Sequence, residues 1–150
     1  MKSISTTLFM IAVSLATTSF SNRRPRTTFS LTVLAKELRN SDGTLQFALY
    51  NREGSIPDEH YKNYFRFLKT DISNGSAQIT FYDIPAGTYA VNIHHDENSN
   101  GKIDKGWVLP KEGIGFSNYE SIGLRNKPSF EKASFFLRED KSISIKVIYM

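Results

Sequence analysis

From Phe29 onward the chain alternates between apolar and polar positions with a period of two. Phe29, Leu31, Val33 and Ala35 are set against Ser30, Thr32 and Lys36. A period of two places alternate side chains on opposite faces, so the pattern predicts a half-buried strand. It returns at Leu45, Phe47, Leu49; at Ala77, Ile79, Phe81; at Tyr89, Val91, Ile93; at Ala133, Phe135, Leu137; and at Ile143, Ile145, Val147, Tyr149. A seventh strand is expected around residues 65–70, although Phe65, Phe67 and Leu68 do not sort onto one face.

Turn chemistry separates these runs: Asn40-Ser41-Asp42-Gly43, Asn74-Gly75 and Pro85-Ala86-Gly87. The last turn is expected to place Gly87 at a positive φ. Sustained helical periodicity is missing; only residues 57–64, with Asp58 and Glu59 behind Pro57, suggest the start of a helical turn. The expected fold is all-β, an antiparallel seven-stranded β-sandwich of transthyretin-like or immunoglobulin-like type.

Ahead of the first strand, residues 1–21 open with Lys2, pass through an apolar run from Leu8 to Leu15 and end in small residues. That is the grammar of a secretory signal peptide, too short in its apolar run for the roughly 20 residues that span a bilayer. The small-residue zone predicts a mature N-terminus between Thr17 and Arg24. Residues 22–28 then form a basic flexible N-terminus, and residues 29–150 one β-sandwich domain. The expected location is secreted or periplasmic, with no transmembrane segment after cleavage. Arg23, Arg24 and Arg26, together with the lack of acids before Glu37, keep an organelle-targeting leader open as the alternative.

Composition narrows the function. The 150 residues carry a net charge of +4, and several of the basic residues, Arg23, Arg24 and Arg26, cluster near the N-terminus instead of lining one face, so no nucleic-acid partner is expected. The absence of cysteine excludes disulfides, thiolate metal sites and cysteine nucleophiles.

One segment carries candidate chemistry. From Asp96 the chain reads D-x-N-x-N-G-x-x-D, with oxygen side chains at loop positions one, three, five and nine and Gly101 at six. A hard cation needs several oxygens converging on one point, and this spacing supplies them around a sharp turn. The candidate Ca2+ ligands are Asp96, Asn98, Asn100, the Lys102 carbonyl and Asp104. Position twelve holds Trp107 where an EF-hand has a bidentate glutamate, so Glu112 or Glu120 is the candidate to complete the shell. The same spacing also suits Asx turns that make a polar connection with no ion.

His94 and His95 are adjacent on a strand and should point to opposite faces, with His95 in phase with the core. His60 stands alone. The stretch 106–130 lacks alternation and is longer than ordinary connections. Trp107, Phe116, Tyr119 and Phe130 are expected to pin it; Trp107, Phe116 and Tyr119 are also candidates to line a sugar or peptide site.

Two resemblances follow. The segment from Phe81 to Val91 resembles the strand, Pro-x-Gly turn, strand signature of transthyretin-like and collagen-adhesin-type modules. His95-Asp-Glu-Asn-Ser-Asn-Gly-Lys-Ile-Asp104, Lys111-Glu-Gly-Ile-Gly-Phe-Ser-Asn118 and Pro128-Ser-Phe-Glu131 together resemble domain of unknown function 2141, a family of exported bacterial proteins. This likeness implies a secreted sandwich and brings no reaction with it. The leading expectation is a non-catalytic binding or structural module of the cell envelope, with a glycan or protein as partner. A calcium-dependent carbohydrate-binding module is the alternative. A transthyretin-like hydrolase is disfavoured, because the hydroxyisourate hydrolases end in Tyr-Arg-Gly-Ser whereas this chain ends Val147-Ile-Tyr-Met150.

Overall fold

The computed structural model describes residues 27–104 and 111–150, so the leader reading of residues 1–21 and most of the basic segment behind it lie outside the described residues. The described residues form eight strands and one short helix. These are β1 (Thr28–Lys36), β2 (Thr44–Tyr50), β3 (Arg66–Asp71), β4 (Ala77–Pro85), β5 (Gly87–Asp96), β6 (Gly113–Phe116), α1 (Phe130–Ala133), β7 (Phe135–Leu137) and β8 (Lys141–Lys146).

One sheet has the order β4-β1-β8, the other β3-β2-β5-β6, with β7 pairing the start of β5. Leu31, Val33 and Ala35 of the first sheet meet Leu45, Phe47, Leu49, Val91 and Ile93 of the second in one buried cluster. The alternation read along the chain thus becomes a shared core, with every one of those side chains fully buried. At about 25 cal/mol per Å2 of apolar area removed from water, this cluster is the main stabilising feature of the fold.

Three expectations require correction. The sheets are not wholly antiparallel, because β8 runs parallel to β1 from Leu31↔Lys141 to Lys36↔Lys146. Among the described residues the strands number eight rather than seven, since β6 lies within the stretch read as lacking alternation. Its Gly113 and Gly115 hide the alternation: a Cβ on Gly115 would stand 2.4 Å from Lys146 O and 2.9 Å from Ile93 Cγ1. The stretch lacks strand alternation in the sequence because these core-facing positions have no side chain. The helix also sits elsewhere, at Phe130–Ala133, where the Ser129 hydroxyl caps the N-terminus by accepting from Lys132 N at 3.3 Å. Ala133 therefore ends a helix rather than starting a strand, while the 57–64 segment forms only bends and turns.

The central strand β5 is buried on both faces from Tyr89 to Asp96. Its odd-numbered side chains enter the shared core. Its even-numbered ones face a second cluster in which Ala48, Tyr50 and Ala90 pack with Ile114, Phe116, Tyr119 and Phe130. The ambiguous phase around residue 65 resolves the same way, with Phe65 packed against the first cluster and Phe67 against the second.

Of the predicted turns, Asn74-Gly75 forms a two-residue hairpin with both residues at positive φ, as a type I′ turn demands. Gly87 does not adopt a positive φ; in that corner the left-handed residue is Asp83, at +55°, and Tyr89 O–H closes the turn by donating to Pro85 O at 2.9 Å.

Candidate functional site

The ion-type loop begins where β5 ends. Asp96 is buried, because β5 still pairs with β2 at Thr44↔Asp96. Its carboxylate is anchored from the sheet by Gln46 Nε2, which donates to Oδ2 at 2.6 Å. From the loop it receives Asn100 N on Oδ1 at 3.0 Å and Gly101 N on Oδ2 at 2.8 Å. The loop is thereby wrapped around its first residue, with Ser99 and Gly101 at positive φ to make the bends.

The remaining oxygen-bearing side chains meet at Asp104. Asn98 Nδ2 donates to its Oδ2 at 2.6 Å, and Asn100 Nδ2 reaches both carboxylate oxygens at 3.2 and 3.1 Å. Asn98 Oδ1 and Asn100 Oδ1 accept from Asn100 N and Lys102 N, as in successive Asx turns. Asp96, Asn98, Asn100 and Asp104 are thus brought into one loop. Lys102 is exposed and contributes its N–H to the turn. Trp107 lies outside the described residues. Among the described residues no three His, Cys, Asp or Glu side chains form a metal-ligating group, so the donor set is two carboxylates with two amides. All-oxygen donors of that kind suit a hard cation.

Glu112 and Glu120 part company. Glu120 is exposed and makes no hydrogen bond to the loop. Glu112 is buried and closes the loop from behind: Glu97 N donates to Oε1 at 3.1 Å, and Asp104 N donates to Oε2 at 3.1 Å. His94 Nε2 lies 2.8 Å from the same Oε2. A carboxylate oxygen only accepts, so His94 donates to Oε2 from Nε2. His94 Nδ1 is buried without a partner, as is Tyr61 Oη.

Tyr61 covers His94, with ring centroids 6.1 Å apart and planes 26° from parallel. Its backbone sits at a φ of +50°, which a bulky residue adopts only when its surroundings impose it. Burial pushes the phenol above its ordinary range, helped by the charges of Asp96, Asp58 and Glu112, so Tyr61 keeps its proton. His94 and His95 point to opposite faces. His95 has Nδ1 at 2.7 Å from Tyr149 Oη and Nε2 at 2.9 Å from Asp42 O, which ties the turn ahead of β2 to the segment after β8. Arg39 adds an ion pair with Glu97 and lies over the Tyr149 ring at 4.5 Å. That pairing, led by the hydrogen bond from Arg39, holds the Glu97 carboxyl below the ordinary carboxylate range.

Gly43 shows how tightly this end is packed. At a φ of +66° it lies so close to the loop that a Cβ would stand 1.9 Å from Asp96 O.

Two cavities flank the loop on the outer face of the second sheet. One, of about 680 Å3, runs between residues 59–62 and residues 101–103. The other, of about 510 Å3, has Asn92, Ile114 and Phe116 on its walls. Phe116 therefore lines a cavity. Tyr119 is on the wall of neither; its ring packs against Phe116 at 5.9 Å, and its hydroxyl donates to Lys127 O at 3.1 Å and accepts from Ser129 N at 3.1 Å. It pins the long connection, as Phe130 does from the second cluster. The partners Glu112, His94 and Tyr61 were not paired by any sequence signal: the contacts span 18 and 33 positions, and of the three only Glu112 was singled out, for its charge.

A family model described as an uncharacterized protein conserved in bacteria, DUF2141, matches residues 33–146. The chain belongs to the DUF2141 family. The match takes in both sheets, the whole ion-type loop and Glu112, so the clamp described above lies inside the DUF2141 region. No curated protein and no solved structure matches the chain.

Proposed function

We propose that this DUF2141 protein is an exported, non-catalytic module of the cell envelope, a sandwich of transthyretin-like or immunoglobulin-like type whose 96–104 loop takes calcium. Calcium acts there as a staple that fixes the loop, and the module presents its outer face to a glycan or protein. The observation that carries this reading is the convergence on Asp104, where the amides of Asn98 and Asn100 meet a carboxylate within 3.2 Å while Asp96 is held in place by Gln46. Rotating the two amides presents their oxygens in place of nitrogens, and the four side chains then offer a hard cation part of the oxygen shell it requires. Export rests on the leader grammar of residues 1–21. Among the described residues no helix is long and apolar enough to cross a membrane.

The test is a change of sign. Without calcium, Asn98→Asp removes a 2.6 Å hydrogen bond and sets a second carboxylate beside Asp104, so the melting temperature falls. With millimolar calcium the added charge strengthens the site and the variant melts above the wild type. A variant that melts lower in both conditions leaves only the Asx-turn loop.

A second reading, calcium-dependent carbohydrate binding, draws on the cavity of about 680 Å3 that Gly101 and Lys102 share with Glu59 and His60. Glycan-array binding that disappears with a chelator would select it.

A further inference from the structure

Asn92 is 4% exposed and stands in the middle of β5, facing outward from the shared core. Its amide nitrogen is committed, donating to Gly115 O at 3.1 Å and to Ile93 O at 3.3 Å. Both partners are carbonyls, so the nitrogen must face them and Oδ1 must face away. Among the described residues nothing donates to that oxygen. Among the described residues the sealed polar atoms without partners are Tyr61 Oη and His94 Nδ1, so Oδ1 is the Asn92 atom left for the cavity of about 510 Å3 that this residue lines.

The walls of that cavity are apolar. Ile114 and Phe116 pair across from His94 and Asn92 in the sheet, and Ile122 and Leu124 of the long connection form the opposite side. Leu124 is 76% exposed at the rim. A concave apolar site of a few hundred Å3 with one fixed polar group is the usual build of a small-molecule pocket. Among the described residues of the mouth, Asp58 and Glu59 outnumber Lys127, which disfavours an anion. The Asp58 carboxylate is already engaged by Lys62 N, Asn63 N and Tyr50 O–H, so it sets the charge of the rim without being a free acceptor.

We infer that this cavity binds an uncharged, mostly apolar small molecule that donates one hydrogen bond to Asn92 Oδ1. The inference deepens the binding-module reading and names the class of ligand, but it does not depend on calcium.

Three bicyclic probes test it on the mature protein by NMR and calorimetry. 2-Naphthol carries the donor, 2-methoxynaphthalene lacks it, and 2-naphthoate is an anion. 2-Naphthol should bind saturably, with a dissociation constant on the order of 100 µM, and should shift the Asn92 side-chain amide signals. 2-Methoxynaphthalene should bind about five- to tenfold more weakly, because a neutral hydrogen bond is lost. 2-Naphthoate should bind weakest. Asn92→Leu should erase the difference between the first two probes. Leu124→Glu, at the exposed rim, should weaken all three without unfolding the protein, which keeps the test decisive where Asn92→Leu does not fold. No shifts at about 2 mM 2-naphthol, or equal binding of the three probes, would overturn the inference. Calcium titrated in parallel separates the two readings: calcium binding without probe binding removes the cavity site and leaves the staple.

Discussion

Glu112 Oε2 lies 2.8 Å from His94 Nε2, and through Asp104 N and Glu97 N the same carboxylate holds both ends of the ion-type loop. A side chain from the segment after the loop therefore fastens the loop to the central strand.

Breaking that fastening should be costly. Glu112→Gln sets an amide N–H2 against donors: with its oxygen in the Oε2 position it leaves Glu97 N without an acceptor, and turned over it leaves both His94 Nε2 and Asp104 N without one. We expect a loss of about 2–4 kcal/mol, because a buried donor stripped of its partner bears its full desolvation cost. The urea midpoint measures it, and protease cutting near the loop should quicken. A loss below about 1 kcal/mol would show that water replaces the carboxylate.

Tyr61 gives the opposite expectation. Its hydroxyl is buried with no partner, while its ring stacks on His94 and meets Phe67 edge-on at 5.5 Å. Tyr61→Phe keeps both ring contacts and removes an unsatisfied polar atom. Stability should stay level or rise by about 1 kcal/mol. A fall of that size in thermal unfolding would mean the hydroxyl is hydrogen-bonded in solution.

A pair of glycines separates backbone strain from collision. Gly43 and Gly101 both have positive φ, at +66° and +74°. A Cβ on Gly101 meets nothing within 4 Å, whereas one on Gly43 would overlap Asp96 O. Gly101→Ala should cost about 1 kcal/mol, the ordinary price of the left-handed conformation. Gly43→Ala should cost at least about 2 kcal/mol more, because the backbone of the loop must move. Equal midpoints in chemical denaturation would refute the close packing of the two turns.

What the sequence disclosed, and what it concealed, follows from the range of each interaction. The alternation of Leu31, Val33 and Ala35 or of Tyr89, Val91 and Ile93 is local, and the core is built from it. β6 was concealed because Gly113 and Gly115 face neighbours too close for any side chain. The parallel pairing of β8 with β1 is a matter of register across about 110 positions, which periodicity does not encode. At the site, the spacing from Asp96 to Asp104 was legible because it is a turn pattern. Glu112 was singled out for its charge and its nearness in sequence. Its bonds to His94 and to two backbone N–H groups arise only once β6 places it behind the loop.

The most direct measurement is a calorimetric titration of calcium into the mature protein, with Asp104→Asn alongside. Asp104 receives both loop amides, so this variant removes a charge at the point of convergence and leaves the Gln46 and Gly101 anchors of Asp96 intact. Two carboxylates and two amides predict one site per chain, with a dissociation constant on the order of 10⁻⁴ to 10⁻³ M. The melting temperature should rise as the site fills, since an ion that binds only the folded state adds about 2.7 kcal/mol at 100 times its dissociation constant. Asp104→Asn should bind at least about tenfold more weakly, and magnesium should give little heat because it dehydrates reluctantly. A wild-type protein that gives no binding heat and no melting shift at about 10 mM calcium would contradict the account and leave the loop as a chain of Asx turns closed by Glu112.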